Sequence, residues 1–313
     1  MFFTPFLGTA NVVRIFLINK VINNLLARRI GFEDIDYLCR GIQKGNMRKR
    51  FRINPVAAGL LLVLATNCVR TPRMEILSYT AEQETASVAG CPLTHKLDIS
   101  LEYPMVKGDK EMAATLIRQS IFETAFGQTY DTLNVQEAAT RYADDLAAEF
   151  KELSAAMWRG WQKAGIADPA AAQWSDSIEG YFAGQNGPYR SYIVNLTDFT
   201  GGAHSNSTTR ALVFDVTDGS PVTLDDLFVP DFNDVLTEIL NRHVAESLSE
   251  EDIEDLFEPT VSPTGNYILT SDSITFIYNP YEIGPYSIGT PSVSVPIKEL
   301  KKAGILAKKL RTR

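Results

Sequence analysis

The chain is poor in the residue types that carry most enzyme chemistry. Its 313 residues include only three histidines and three cysteines, and His95, His204 and His243 lie too far apart for metal-ligand spacing. No Gly-x-Ser-x-Gly elbow, phosphate-binding loop or His-Glu-x-x-His occurs. Asp144-Asp145 and Asp225-Asp226 are paired acids, but neighbours point apart, whereas a catalytic pair must converge on one atom. Also missing is an apolar run of the ~20 residues that a membrane-spanning helix requires. Cysteine is too sparse for a disulfide framework, and roughly 245 residues can bury a core without one. Cys91 reads as a small buried or half-exposed thiol, with no histidine-plus-acid pattern to activate it.

What is present begins with an internal signal. Met47-Arg48-Lys49-Arg50-Phe51-Arg52 is basic, 56–65 is apolar, and Thr66-Asn67 leads to Cys68. A basic n-region, a short h-region and a cysteine at the cleavage point read as a lipoprotein signal with Cys68 as the lipidated residue. The lipobox is loose, because Ala65 and Asn67 hold the places of a branched and a small residue. Met47 then reads as the start, and 1–46 as disordered or a lone helix. The expected location is extracytoplasmic, in the bacterial envelope (periplasm or outer membrane), held to the membrane by lipid alone.

Charge bears on partners, with simple solubility of an exported protein as the plainer alternative. Of 30 Lys/Arg and 38 Asp/Glu, ten and three lie in residues 1–67, so 68–313 keep 20 and 35, a net of −15. That balance repels nucleic acid and anionic polymers and favours a basic partner.

Along the chain, 68–85 is polar and reads as a flexible tether. Leu97, Ile99, Leu101 and Tyr103 alternate as in a half-buried strand. Met112, Leu116, Ile117, Phe122 and Phe126 form a helical face ending at Gly127. A second stripe, Ala139, Tyr142, Leu146, Phe150, Leu153, Met157 and Trp161, reads as core. A hairpin turns at Gln185-Asn186-Gly187-Pro188, and a strand through Leu212, Phe214 and Val216 ends at Asp218-Gly219. A helix follows over 231–248 with Asp231 as N-cap, then a hairpin through Ile268, Ile274 and Phe276 and a last strand at Val293 to Ile297. The expected fold is α+β: two small helix-on-antiparallel-sheet domains, 86–200 and 201–305, after a leader (1–67) and the tether.

Two loops stand out as binding candidates. His204 follows Gly201 and Gly202, whose backbone freedom lets main-chain groups approach a ligand; a tight turn with the imidazole bonded to a nearby carbonyl is the alternative. In 279–289, Pro280, Pro285, Gly284 and Gly289 restrict and bend the chain around Tyr281, Glu282 and Tyr286. Tyrosine suits recognition because it joins an apolar face to a polar tip. A plug covering the sheet edge is the competing reading. His95 and His243 read as ordinary surface or boundary residues, and the acids at 250–255 as a solvated helix start.

Thr200-Gly201-Gly202-Ala203-His204, Phe214-Asp215, Asp218-Gly219, Leu224-Asp225-Asp226-Leu227-Phe228, Phe276 through Tyr286, and Val295-Pro296 with Leu300 form an ordered set over about 190–302. The set resembles the C-terminal domain family shared by the anti-sigma factor RsiV and the peptidoglycan deacetylase PdaC. Residues 90–190 are similar to the partner domain of unknown function that usually precedes it. The resemblance implies an α+β domain working outside the cytoplasm, with no catalytic residues here and no cofactor. Neither a sigma-binding segment nor a deacetylase domain is recognisable, so those activities do not carry over. The expected function is non-enzymatic recognition of a lysozyme-like protein or a peptidoglycan fragment, with no nucleic-acid partner. The alternative is a cell-wall hydrolase using acids of an interdomain cleft, Glu282 with Asp215.

Overall fold

In a computed structural model of the chain, the residues described are 74–105, 111–166, 173–201 and 203–311. The leader, Met47 and Cys68 lie outside them. Residues Pro72–Arg313 form one compact unit, built on two sheets.

The larger sheet has the order β1 (Glu75–Ala86), β2 (Thr94–Met105), β3 (Gln173–Asn186), β4 (Tyr189–Phe199), β5 (Asn206–Asp215). All neighbours are antiparallel except β2 and β3, which run parallel. Parallel neighbours need a long crossover. Helices α1 (Glu111–Phe126) and α2 (Val135–Ala164) supply it. Their apolar faces cover one side of the sheet, where Leu97, Ile99, Leu101, Ile178, Tyr192 and Val194 meet Ile117, Ile121, Phe122 and Ala139. Gly180 makes room for Tyr192, because a Cβ there would collide with the phenol oxygen and lie 2.6 Å from Leu101 Cδ2. The phenol in turn donates to Glu102 O at 2.6 Å.

The smaller sheet, β6 (Tyr267–Leu269), β7 (Ser273–Ile277) and β8 (Ser292–Pro296), is antiparallel throughout. Helices α3 (Leu224–Leu227), α4 (Asn233–Ser247), α5 (Glu250–Glu254), α6 (Ile297–Ala303) and α7 (Lys308–Arg311) complete this half. Leu236, Ile239, Leu240 and Val244 of α4 pack on Ile274, Phe276, Val293 and Val295. The same cluster takes in Tyr189 and Val213 of the larger sheet. The smaller sheet thus covers the β4–β5 part of the face that the crossover helices leave bare.

The α+β class is as expected, but several finer expectations change. Residues 75–85 are not tether. They form most of β1, with Leu77, Tyr79 and Ala81 half-buried and Ser78, Thr80, Glu82 and Glu84 outward. The polar solvent face hid a period of two. The expected boundary at 200/201 falls in the β4–β5 hairpin, and β5 completes the larger sheet. That sheet is mixed, not purely antiparallel.

Both helical stripes turn more than expected. Met112 is 77% exposed and Leu116, Leu153 and Met157 are largely exposed, while Ala113, Ala114, Ala138, Ala143, Ala147 and Ala155 are buried. Alanine lets helix and sheet approach closely, so small residues took places that size-weighted patterning gave to large ones. Asp231 does not cap α4. It has φ +60, the cap position is Phe232, and the helix starts at Asn233.

Candidate binding site at the junction of two loops

Both loops singled out in the sequence converge. The β4–β5 loop presents His204, and the segment after β7 presents Tyr281 and Tyr286. The imidazole of His204 stacks on Tyr286 with centroids 3.8 Å apart and planes 18° apart. Tyr281 stands 6.0 Å from Tyr286, tilted by 41°. Ser205 O ties the cluster together, accepting from Tyr286 Oη at 2.7 Å and from His204 Nδ1 at 3.0 Å. His204 thus takes the carbonyl-bonded turn, with its ring exposed at the surface. Gly201 has φ +95, which a side chain would oppose. Gly202 lies outside the described residues.

Tyr281 is 61% exposed and adopts φ +70, left-handed backbone that a bulky residue rarely enters. Its neighbour Glu282 is exposed, with its carboxylate engaged in the turn. Its carboxylate accepts from Asn279 N at 2.9 Å and from Asn279 Nδ2 at 3.3 Å, closing the turn from within. Asn279 Oδ1 accepts from Thr209 N at 2.6 Å, fastening the loop to the edge of β5. Beside it lies a groove of about 310 Å³ lined by Phe257, Thr260, Ser262, Tyr278, Glu282 and Ile283. Burial pushes the Tyr278 phenol up, so it stays protonated and donates to Ser262 O at 2.8 Å.

The acids do not assemble a reacting pair. Glu282 is held next to Thr209, whereas Asp215 lies six residues further along β5, where its carboxylate accepts from Thr217 N. At about 3.3 Å rise per residue the two ends are ~20 Å apart, against the ~5–9.5 Å that paired glycosidase carboxylates need. Asp226 closes a capping box with Thr223, whose backbone N–H and hydroxyl hold its carboxyl below the usual range. Asp145 accepts from Tyr130. Among the described residues no group of three or more His, Cys, Asp or Glu could hold a metal ion, and no helix is long and apolar enough to cross a membrane.

One histidine differs from the sequence reading, and a second sits at the boundary with partners the sequence does not show. His95 is 3% exposed, on the helix-covered face of β2, with Nε2 2.6 Å from Asp176 on β3 and its ring against Phe150. A histidine in phase with Leu97 and Ile99 was the available signal. His243 is mostly buried between two carboxylates, Nδ1 2.8 Å from Glu246 and Nε2 2.7 Å from Glu299 of α6. Sequence reasoning could not have found it, because its main partner lies 56 residues away. Cys91 is half-buried against Leu93, Phe150 and Trp174, as a structural thiol would be.

With this geometry in view, comparisons with known proteins are informative about fold. No curated protein matches. The chain is similar over 78% of its length, and 99% of the other's, to the crystal structure of a DUF3298-family protein from Bacteroides fragilis, at TM-score 0.69 and 22% identity. A second DUF3298-family structure, from Pseudomonas aeruginosa, matches at TM-score 0.49 and 17% identity over 76% of this chain and 96% of that one. A DUF3298 domain, described as a protein of unknown function, is present at residues 225–298.

Proposed function

We propose that this chain is an exported, lipid-anchored envelope protein that recognises a lysozyme-like protein or a peptidoglycan fragment rather than transforming it. The observation that carries the reading is the cluster of His204, Tyr281 and Tyr286. Two loops about eighty residues apart in sequence are tied through one carbonyl to hold three rings at the surface. Pre-set rings lose little freedom on binding, and an exposed tyrosine in left-handed backbone is the kind of strain that functional surfaces store.

Three further features support it. The internal signal ending at Cys68 gives a route to the envelope. The motif set over 190–302 resembles the RsiV and PdaC domain family, which works there. The net of −15 over residues 68–313 favours a basic protein such as a lysozyme over an anionic polymer. For the alternative, a hydrolase, the pair Glu282 and Asp215 is too widely separated to share one glycosidic bond.

Titration calorimetry of residues 68–313 with a lysozyme and with muropeptides tests the reading. Binding of either that falls at least about tenfold in Tyr281→Ala/Tyr286→Ala is expected, as for loss of aromatic anchors. No heat with both ligands overturns it. Mass spectrometry of the native N-terminus tests anchoring separately, since a lipid-modified Cys68 is expected there.

A further inference from the structure

The two outer edges of the larger sheet are treated differently. Along β5 every second residue turns its main-chain groups away from β4, and these groups are closed off in sequence. Asp215 N donates to Ser220 O and Val213 O accepts from Val222 N. Ala211 N donates to Asn266 Oδ1, Thr209 O accepts from Asn266 Nδ2, and Thr209 N donates to Asn279 Oδ1. That edge cannot accept another strand.

The β1 edge has no such cover among the described residues. Twelve residues, Glu75–Ala86, pair with β2 in unbroken register, so every second N–H and C=O along this length faces outward. The devices that usually guard an edge are absent: β1 contains no proline, lysine, arginine or bulge. It does carry charge of one sign. Glu82 and Glu84 point to the solvent face, beside Asp98 and Lys96 of β2. Lys96, bonded to Asp98 at 3.0 Å and also within the field of Glu82 and Glu84, is the single base among these four side chains, so the patch keeps a net negative charge. On the opposite, helix-covered side a cleft of about 80 Å³ opens between Tyr79, Ala81 and Leu97 and the alanines Ala139 and Ala143 of α2.

We infer that the free edge of β1 binds an extended basic peptide segment of a partner protein by strand addition, with Lys or Arg at alternate positions facing Glu82 and Glu84. Main-chain bonds to β1 supply affinity, and alternation supplies selection. Residues of the added strand that point the other way fall beside Tyr79 and Ala81, where small aliphatic side chains fit. The same charges disfavour a second copy of β1 as occupant, because its own outward acids would join an acidic face. This surface is separate from the aromatic cluster.

A fluorescein-labelled peptide of about ten residues, alternating Lys and Val, probes the edge. Controls are the same composition in block order and an alternating Glu/Val peptide. In anisotropy titrations the Lys/Val alternator should bind at least about tenfold tighter than either control, and more weakly as salt rises from about 50 to about 500 mM. Amide exchange within 75–86 should slow on binding. Glu82→Lys/Glu84→Lys should weaken binding about tenfold with the fold retained in circular dichroism, since both side chains are exposed. Tyr281→Ala/Tyr286→Ala should leave peptide binding intact, so failure here is distinguishable from failure of the lysozyme and muropeptide reading. No binding, equal binding of a control, unchanged exchange at 75–86, or a dimer in sedimentation that the Lys substitutions abolish would each overturn the inference.

Discussion

The two halves of the folded unit cohere by different means. Around the larger sheet, cohesion is apolar: β2, β3 and β4 alternate, and α1 and α2 close over them with alanine, isoleucine and phenylalanine. Where the smaller sheet meets the larger, cohesion depends on side chains that imitate a backbone. Ser191 Oγ donates to Leu269 O and accepts from Leu269 N, at 2.9 and 2.8 Å. Asn266 bonds Ala211 N, Thr209 O and Ile277 O. The lesson is that cores here are made by periodicity and the seam by single residues, so the two should fail differently when mutated.

Removing core volume is the strongest way to break the comparison. Phe276 is fully buried in the smaller sheet, and Phe276→Ala should cost about 3–5 kcal/mol. Because Tyr189 and Val213 of the larger sheet share that cluster, the loss should appear as one shifted denaturant transition, seen alike by tryptophan fluorescence and circular dichroism. Two separated transitions would mean that the seam does not couple the halves.

The seam itself comes next. Asn266→Ala removes three hydrogen bonds, two of them to β5, and should cost about 2–3 kcal/mol, because part-buried main-chain groups lose partners that water replaces poorly. Amide exchange should accelerate at Ala211, whose N–H loses its acceptor, and leave β2 and β3 protected. Uniform acceleration across both sheets would contradict a local seam. In Ser191→Ala the same reasoning gives about 1–3 kcal/mol, read at Leu269.

This contrast also explains what was legible in the sequence. Strands β2, β4, β5 and β7 follow from period-two patterning, and α2 from its period; the structure adds its caps, Asn134 accepting from Glu137 N and Gly165 at φ +73. Strand β1 was missed because only one of its faces is apolar, and weakly so. The site was legible in part: unusual glycine, proline and tyrosine content marked both loops, but stacking of His204 on Tyr286 joins positions that no local pattern relates. That Glu282 also closes its own turn, accepting from Asn279, was not legible locally. His95 was misread because burial of a polar residue depends on a partner distant in sequence, here Asp176.

Tyr281 sharpens the comparison on a smaller scale, by separating what stabilises from what recognises. Its φ of +70 is costly for tyrosine and free for glycine, while a glycine loses more chain entropy on folding. Tyr281→Gly should therefore change stability by no more than about 1 kcal/mol, with a gain expected. Ligand binding at the loop junction should weaken at the same time. A clear loss of stability would make the exposed ring a structural plug instead.

The smallest effect lies in the clamp between α4 and α6, and its sign follows from the partners of His243. Burial lowers the affinity of the imidazole for a proton, but hydrogen bonds and charge from Glu299 and Glu246 outweigh it, leaving the group above its ordinary 6.5. Arg242, bonded to Glu238 and Glu299, and then His243 hold Glu299 below its ordinary 4.5. A base whose affinity for protons rises on folding stabilises fully below about pH 6.5 and loses that contribution as pH climbs through its folded value. The carboxylate contributes above about 4.5 and loses its share as pH falls through its lowered folded value. The clamp should be strongest between those limits. Melting temperature should therefore fall further between about pH 5.5 and about pH 8.5 in the natural chain than in His243→Gln, which keeps a hydrogen-bonding side chain without the titration. Parallel curves would show that the imidazolium adds nothing, and that the Arg242–Glu299 pair and apolar burial join α4 to α6 without it.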